Sequence, residues 1–482
     1  MTFNYRIDFR RTTVILLGGI AIVLLVFLGR LPAPVRAQQT SDGPVYIVQE
    51  GDSLWDIAAR FGVSLDELKS ANNLNDGDQL AVGARLVIPG LEGVQGVLIT
   101  REIEPGETLR SLSRRYGVAE ASLARLNHMT SPAEFFAGAS LILNEPEEET
   151  SSMKRVSLAP GETLLEAAVL AGANPWSIAT TNHLDGPVNA LPGDVLLVPA
   201  SSAQSDVGGQ PDGLPGEIRT LAITPTLLTQ GQAVSIRLSG PEGTELEGSL
   251  AGNELHFFPD QKGGYVAIQG IHAMLDPGIY PLDIRGRLPN EKGFSFSQSV
   301  YVRSGQYPYD PALTVSSETI DPAVTVPEDA EWKALASGFT PEKLWQGKFQ
   351  SPVPEIYSEC WPSGFGHRRS YNGSAYEYFH TGQDFCGGVG TDIYAPADGV
   401  VVFAGPLTVR GNATMIDHGW GVFSGYMHQS ELLVKVGDKV KAGQLIGKVG
   451  GTGRVTGPHL HWEIFAGGVQ VNPLDWLQRE FP

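Results

Sequence analysis

The chain repeats itself. Gly51-Asp52-Ser53-Leu54, Gly106-Glu107-Thr108-Leu109 and Gly161-Glu162-Thr163-Leu164 stand 55 residues apart. A fixed period of that size marks an array of small units, each a single supersecondary structure. In the first unit Val45-Tyr46-Ile47-Val48 alternates weakly, as a short strand does. Asp52 or Ser53 can cap a helix whose apolar stripe is Leu54, Ile57, Ala58 and Phe61, and Gly62 ends it. Leu65 and Leu68 predict a second helix, Asn72-Asn73-Leu74 a loop, and Leu86-Val87-Ile88-Pro89 a closing strand. The unit therefore reads βααβ in about 45 residues.

That order and those residues resemble the LysM module, at 44–90, at 99–145 and, in a divergent form with a weaker first helix, at 154–200. The resemblance implies binding to N-acetylglucosamine-containing glycan such as peptidoglycan. It implies a groove lined by the loop after the first strand (Gly51, Asp52, Ser53, Leu54) and the loop after the second helix (Asn72, Asn73, Leu74). Trp55 and Trp176, at their helix positions, are expected to be core residues rather than sugar platforms.

Composition limits the rest of the chain. Gly and Pro together supply 58 and 33 of 482 residues, a turn-rich balance that argues for β structure and against a helical bundle. The net charge of −19 makes the chain a poor nucleic-acid binder, because it repels phosphate at long range. At the N-terminus Arg6, Arg10 and Arg11 precede an apolar run from Val14 to Gly29, and Val35-Arg36-Ala37 follows. A basic start, an apolar run and a small-residue site predict a signal peptide over residues 1–37, or a membrane anchor if uncleaved. Either form places the rest of the chain outside the cytoplasmic membrane. The two cysteines, Cys360 and Cys386, are expected to bridge in that oxidising compartment, with a stabilisation of roughly 3.5 kcal/mol.

Residues 201–216 read as a linker. Residues 217–303 read as strands at Ile218–Ile223, Ala233–Leu238, Glu254–Phe258, Gly264–Ile271, Gly278–Ile284 and Phe294–Val302, which predicts an immunoglobulin-like sandwich. His256 and His272 fall in this stretch without evident partners. Residues 304–350 read as a connecting segment with a short helix around Pro341–Trp345.

Six of the ten histidines follow residue 350. His380 and Asp384 form an H-x-x-x-D pair, His428 ends Tyr-Met-His, and His459 and His461 form H-x-H. Imidazole and carboxylate are zinc ligands, and three protein ligands with a water make a catalytic site. On a strand both imidazoles of H-x-H face the same side, so one can hold metal while the other moves protons. These donors alone leave several metals open.

Residues 351–482 resemble the lysostaphin-type zinc metallopeptidases along nearly their full length. The resemblance rests on FGHRRSYNG, HTGQD, TDIYAPADGVVVFAG, IDHGWGVFSGYMH, VKVGDKVKAGQLIGKVGGTG and GPHLHWEI. It implies one zinc per catalytic domain, held by His380, Asp384 and His461, with His428 and His459 as the non-ligand catalytic pair. All five are present, unlike in degenerate relatives that activate other wall enzymes. The expected fold is multidomain: βααβ LysM repeats, the β-sandwich and a mainly antiparallel β-sheet metallopeptidase domain. The expected function is a secreted or membrane-anchored metalloendopeptidase that hydrolyses peptidoglycan stem peptides or cross-links. The alternatives are a non-catalytic activator of a separate amidase and a peptidase acting on proteins. Glu463 is a candidate to orient a ligand histidine, Arg368, Arg369 and Asn372 to edge the cleft, His418 to sit in a turn and His367 to lie on the surface.

Overall fold

The computed structural model describes residues 43–75, 80–91, 96–116, 118–145, 153–158, 162–191, 194–199 and 213–482. The expected signal or anchor at 1–37 and most of the linker lie outside these residues. Among the described residues no helix is long and apolar enough to cross a membrane.

The chain divides into two compact units, the first ending at Gln95. In it β1 (Val45–Ile47) pairs antiparallel with β2 (Arg85–Val87), and between them lie α1 (Leu54–Phe61) and α2 (Leu65–Asn72). Ser53 caps α1 by accepting from the Asp56 N–H, and Gly62 ends it at φ 66°. Asp52 closes the preceding turn. It accepts from the Gln49 N–H at 2.8 Å and the Tyr46 hydroxyl at 2.7 Å, and pairs with Arg60 at 3.1 Å. The Asn72 side chain pins α2 to the closing strand. Its amide donates to the Leu68 and Val87 carbonyls, and its oxygen accepts from the Val87 N–H.

The second unit opens with the same construction twice. The first copy is β3 (Val97–Glu102), α3 (Leu109–Tyr116), α4 (Glu120–Leu126) and β4 (Ser140–Glu145). The other is β5 (Met153–Ser157), α5 (Leu164–Ala171), α6 (Pro175–Thr181) and β6 (Val195–Pro199). Asn127 and Asn182 repeat the Asn72 clamp on Ile142 and Leu197. Buried Asp194 ties the two copies together through Arg110 and Arg114. Helix α5 is apolar nearly all round and leaves Leu165, Val169 and Leu170 exposed, which accounts for its weak helical pattern.

Two expected core residues are on the surface. Trp55 is 68% exposed and Trp176 65%. Each precedes a buried isoleucine, Ile57 or Ile178, by two positions, about 200° round the helix from the core stripe.

Residues 220–303 form two sheets around one core. One has the order β11 (Asn253–Leu255), β10 (Glu245–Leu250), β14 (Gly278–Arg287), β15 (Gly293–Arg303), β8 (Leu228–Thr229). The other has the order β12 (Phe258–Asp260), β13 (Gly264–Gly270), β9 (Ala233–Ser239), β7 (Thr220–Thr224). The strand expected at Glu254–Phe258 is therefore two strands, and the chain changes sheet between them. Strand β13 is buried on both faces. Ala267 joins this core, while Val266 and Ile268 alternate into the core of the next domain.

The connecting segment also departs from expectation. Its helix, α7, spans Pro322–Leu335, started by Asp321 as cap and Pro322 at the first turn. Residues 341–345 are not helical, because their backbone bonds elsewhere. The Pro341 carbonyl accepts from the Trp420 indole and the Leu344 N–H donates to the His418 carbonyl.

The C-terminal domain is an antiparallel sheet in the order β18 (Gln383–Phe385), β25 (Leu460–Ala466), β22 (Val422–Leu432), β21 (Gly411–Asp417), β20 (Gly399–Leu407), β23 (Lys439–Val440). Ahead of the sheet, β16 (Arg368–Arg369) pairs antiparallel with β17 (Tyr378–Phe379); within it, β24 (Leu445–Val449) pairs with β19 (Asp392–Tyr394) and β22, and β26 (Val469–Val471) with β25. One face packs on β13 and on Trp345, Phe349 and Trp476; the other is covered by Trp332 of α7 and by Ala336 at its C-cap. Cys360 and Cys386 are joined as a disulfide.

Candidate metal centre

The sheet register assembles the centre. Asp384 on β18 lies directly opposite His461 on β25, and Met427, the neighbour of His428, lies opposite His461 on the other side. Residues far apart in sequence thus meet because they stand at facing positions on three neighbouring strands. His380 arrives from the loop before β18. Gly382 in that loop has no room for a side chain: a Cβ there would collide with the Trp462 carbonyl and lie 2.7 Å from His461 Nε2.

Three acceptor atoms converge. His380 Nε2 lies 3.0 Å from Asp384 Oδ1 and 2.9 Å from His461 Nδ1, and the latter two atoms are 2.9 Å apart. The outward nitrogens are committed. His380 Nδ1 donates to the Gly364 carbonyl at 2.8 Å, and His461 Nε2 faces the Glu463 carboxylate at 3.3 Å. In the neutral imidazoles the inward nitrogens then carry lone pairs. Two lone pairs and a carboxylate oxygen, all buried, need a cation between them. Ligands about 2.0–2.2 Å from a tetrahedral zinc lie roughly 3.3–3.6 Å apart, about 0.3–0.7 Å wider than this triangle. The donor set fits a metal. Against the desolvation that lowers it, hydrogen bonds accepted by the Asp384 and Glu463 carboxylates push the His461 pKa up to about 9. Burial raises and His461 lowers the Glu463 carboxyl, which ends at about 2.

Two further imidazoles border the triangle. His428 Nδ1 donates to the Thr452 carbonyl and His459 Nδ1 to the Gly457 carbonyl, each at 2.8 Å. In the neutral tautomer this leaves the lone pair on Nε2. Their rings are 5.1 Å apart, and His459 Nε2 is 3.5 Å from Asp384 Oδ1. Burial, with the nearby His461 and His459, pushes the His428 pKa down to about 3. His428 adopts φ 62°, a left-handed conformation costing about 1–2 kcal/mol, and its N–H donates to the Arg410 carbonyl. That carbonyl is held by α7: Glu328 accepts from the backbone N–H groups of Thr408, Val409 and Arg410.

A cleft of about 450 Å³ opens over these residues. Arg369, Tyr371, Arg454 and Val455 line it from the C-terminal domain, and Asp329 and Lys333 line it from α7. His272, expected to be without a partner, also lines it and meets Phe379 edge-on. Burial first, then Lys333 and Arg368, push its pKa down. Arg368 instead binds the Ala273 carbonyl, and Asn372 is tied to Val315. His418 is wholly buried and bonded to the Asp398 carbonyl and Ser424. His367 is half-buried and paired with Asp310. The wall contributed by α7 had no signal in the sequence, since its charges follow no catalytic spacing.

At the expected glycan groove, Asp52, Ser53 and Asn72 hold their own module together, as described above. Gly51 and Asn73 provide left-handed turns, and Leu54 and Leu74 are half-buried.

Comparison with known proteins locates two kinds of domain. Residues 378–473 match peptidase family M23, and residues 46–89 and 102–144 match the LysM domain. The peptidoglycan DD-endopeptidase ShyC of Vibrio cholerae is 43% identical over 111 residues, 23% of this chain and 26% of its own length. ShyA, a peptidoglycan DD-endopeptidase of the same organism, is 47% identical over 95 residues, 20% and 22% of the two chains. The solved structure of lysostaphin from Staphylococcus simulans is 32% identical, covering 27% of this chain and 53% of its own, with a TM-score of 0.23. The chain spans 26% and 22% of the two curated relatives' lengths.

Proposed function

We propose that this chain, with its family M23 peptidase domain and two LysM domains, is a zinc metalloendopeptidase that remodels peptidoglycan. The observation that carries the reading is the triangle of His380 Nε2, Asp384 Oδ1 and His461 Nδ1, three acceptors with no proton among them in their neutral forms. Those atoms would hold one zinc ion. When bound, the metal supplies a Lewis acid for the scissile carbonyl and an acidified water.

The chain's own residues do the remainder. His428 and His459 turn Nε2 to the cleft, so one takes a proton from the attacking water and returns it to the leaving amine, while the other, once protonated, donates a hydrogen bond to the oxyanion. His428, held neutral by burial, releases such a proton readily. Glu463 and the Gly364 carbonyl fix the ligand tautomers.

The LysM domains would address the enzyme to N-acetylglucosamine-containing glycan, and tethering raises its concentration at the wall. The third repeat, with the same Asn182 clamp, we read as a divergent LysM module, and the paired sheets at 217–303 as an immunoglobulin-like sandwich. An N-terminal signal or anchor would deliver the chain to an extracytoplasmic, wall-associated location. The substrate would be a stem-peptide or cross-link bond, and the relatives' DD-endopeptidase names favour the cross-link.

The test is digestion of isolated sacculi by residues 38–482, with fragments identified by mass spectrometry. Chelator-sensitive new peptide termini, lost in His461→Ala and His459→Ala, are expected. Intact sacculi beside a zinc-loaded protein would overturn the reading.

A further inference from the structure

We infer that Trp332, on helix α7 and outside residues 378–473, is a positioning residue for the metal centre, acting through Glu463 on His461. The inference rests on the zinc-site reading above. Trp332 Nε1–H donates to Glu463 Oε2 at 2.8 Å. The other oxygen, Oε1, faces His461 Nε2 at 3.3 Å, and His461 Nδ1 is the inward ligand atom. One unbroken line of buried groups thus runs from an upstream helix to the metal face of the centre.

Both ends of the line are built for the contact. Glu463 is wholly buried, and a buried carboxylate is stable only where donors meet both oxygens. Gln470 and His461 serve Oε1, and Trp332 serves Oε2. This fixes the carboxylate plane and with it the ring of His461. The indole reaches Glu463 by lying on Gly425, the residue paired with Glu463 across β22 and β25. A Cβ at Gly425 would lie 2.8 Å from Trp332 Cζ2, so any larger residue would push the indole away. Arg410 stacks on the indole at 5.3 Å and Phe403 meets it edge-on. A phenyl ring would fill this apolar site equally well; the indole N–H is what it would lack.

The experiment measures zinc affinity of residues 38–482 by competition with a chromophoric chelator. Wild-type protein is expected to bind one zinc, and His461→Ala to lose it; failure of either would sink the zinc-site reading itself. Given that binding, Glu463→Gln is expected to weaken affinity 10- to 100-fold and Trp332→Phe about tenfold, the range of outer-shell partners. In the Glu463→Gln background, Trp332→Phe is expected to cost less than threefold, because its effect passes through the carboxylate. Phe403→Leu loosens the same packing and is expected to lower Tm with zinc affinity unchanged. Trp332→Phe within twofold of wild type, or a full tenfold loss in both backgrounds, would overturn the inference. Should Trp332→Phe fold poorly, the affinity of Glu463→Gln decides: no loss there overturns it equally.

Discussion

The βααβ repeats and the catalytic sheet treat polar groups in opposite ways. In the repeats, the recurring polar groups meet complementary partners nearby in sequence. Asn72, Asn127 and Asn182 saturate their amides on strand backbone fifteen residues away, and Asp52 and Glu107 close the turns beside them. In the catalytic sheet, Asp384 and His461 are 77 residues apart and are brought together with like-natured lone pairs facing each other. Saturation makes a stable small module. Deliberate lack of a donor makes a cation site, and only a large, well-packed sheet can hold it open.

The largest expected effect sharpens that contrast. His461→Ala should abolish hydrolysis of sacculi, while the same protein should still sediment with them through its repeats. Loss of both together would mean that the two regions are not independent. Acid comes next. His418 is buried neutral, its pKa pushed by burial down to about 4. Its folded pKa lies below the unfolded value, so the unfolded chain takes up the proton first. Stability is therefore full above about pH 6.5 and falls as pH drops toward 4, by about 3 kcal/mol in all. Asp52 and Glu107 also have lowered pKa values, despite burial that raises them, because Tyr46 and Arg101 bind them. Their contribution is lost only near and below the ordinary carboxylate range. On acidification the catalytic sheet should thus melt before the repeats, as calorimetry would resolve, and His418→Asn should flatten its acid limb.

Smaller effects probe the repeats. Asn182→Ala leaves the Leu197 N–H and carbonyl without their partners and should cost about 2 kcal/mol. Faster amide exchange at Leu197, with peptidase activity unchanged, is the expected readout. Trp55→Ala should change stability by under about 0.5 kcal/mol, because the side chain is exposed. Weaker retention on chitin or sacculi would give that indole a binding role.

The five residues of the centre were legible because HxxxD, YxH and HxH keep their chemistry and order even when written on one line. The period of 55 was legible for the same reason, and the asparagine clamps share it, although Asn72 was expected to line a glycan groove. Trp332 was not legible. Its partner Glu463 is 131 residues away, joined to it by no local period. Helix α7 was misplaced because Pro327 interrupts its pattern, whereas Pro341–Trp345, lacking such an interruption, bonds to the 417–420 loop instead. Trp55 and Trp176 were misread, since each lies two positions before a buried isoleucine and so off the core stripe.

Strand β13 belongs to two cores at once, and this makes the chain less divisible than its parts list implies. A cut at residue 340, just ahead of the recognisable peptidase, would take away Val266 and Ile268 from one face of the catalytic sheet and Trp332 from the other. Such a fragment would carry His380, Asp384 and His461 yet present two raw apolar surfaces to water. For this protein the smallest piece that can be inherited, expressed or transplanted intact therefore begins upstream of the β-sandwich, not where the family resemblance starts.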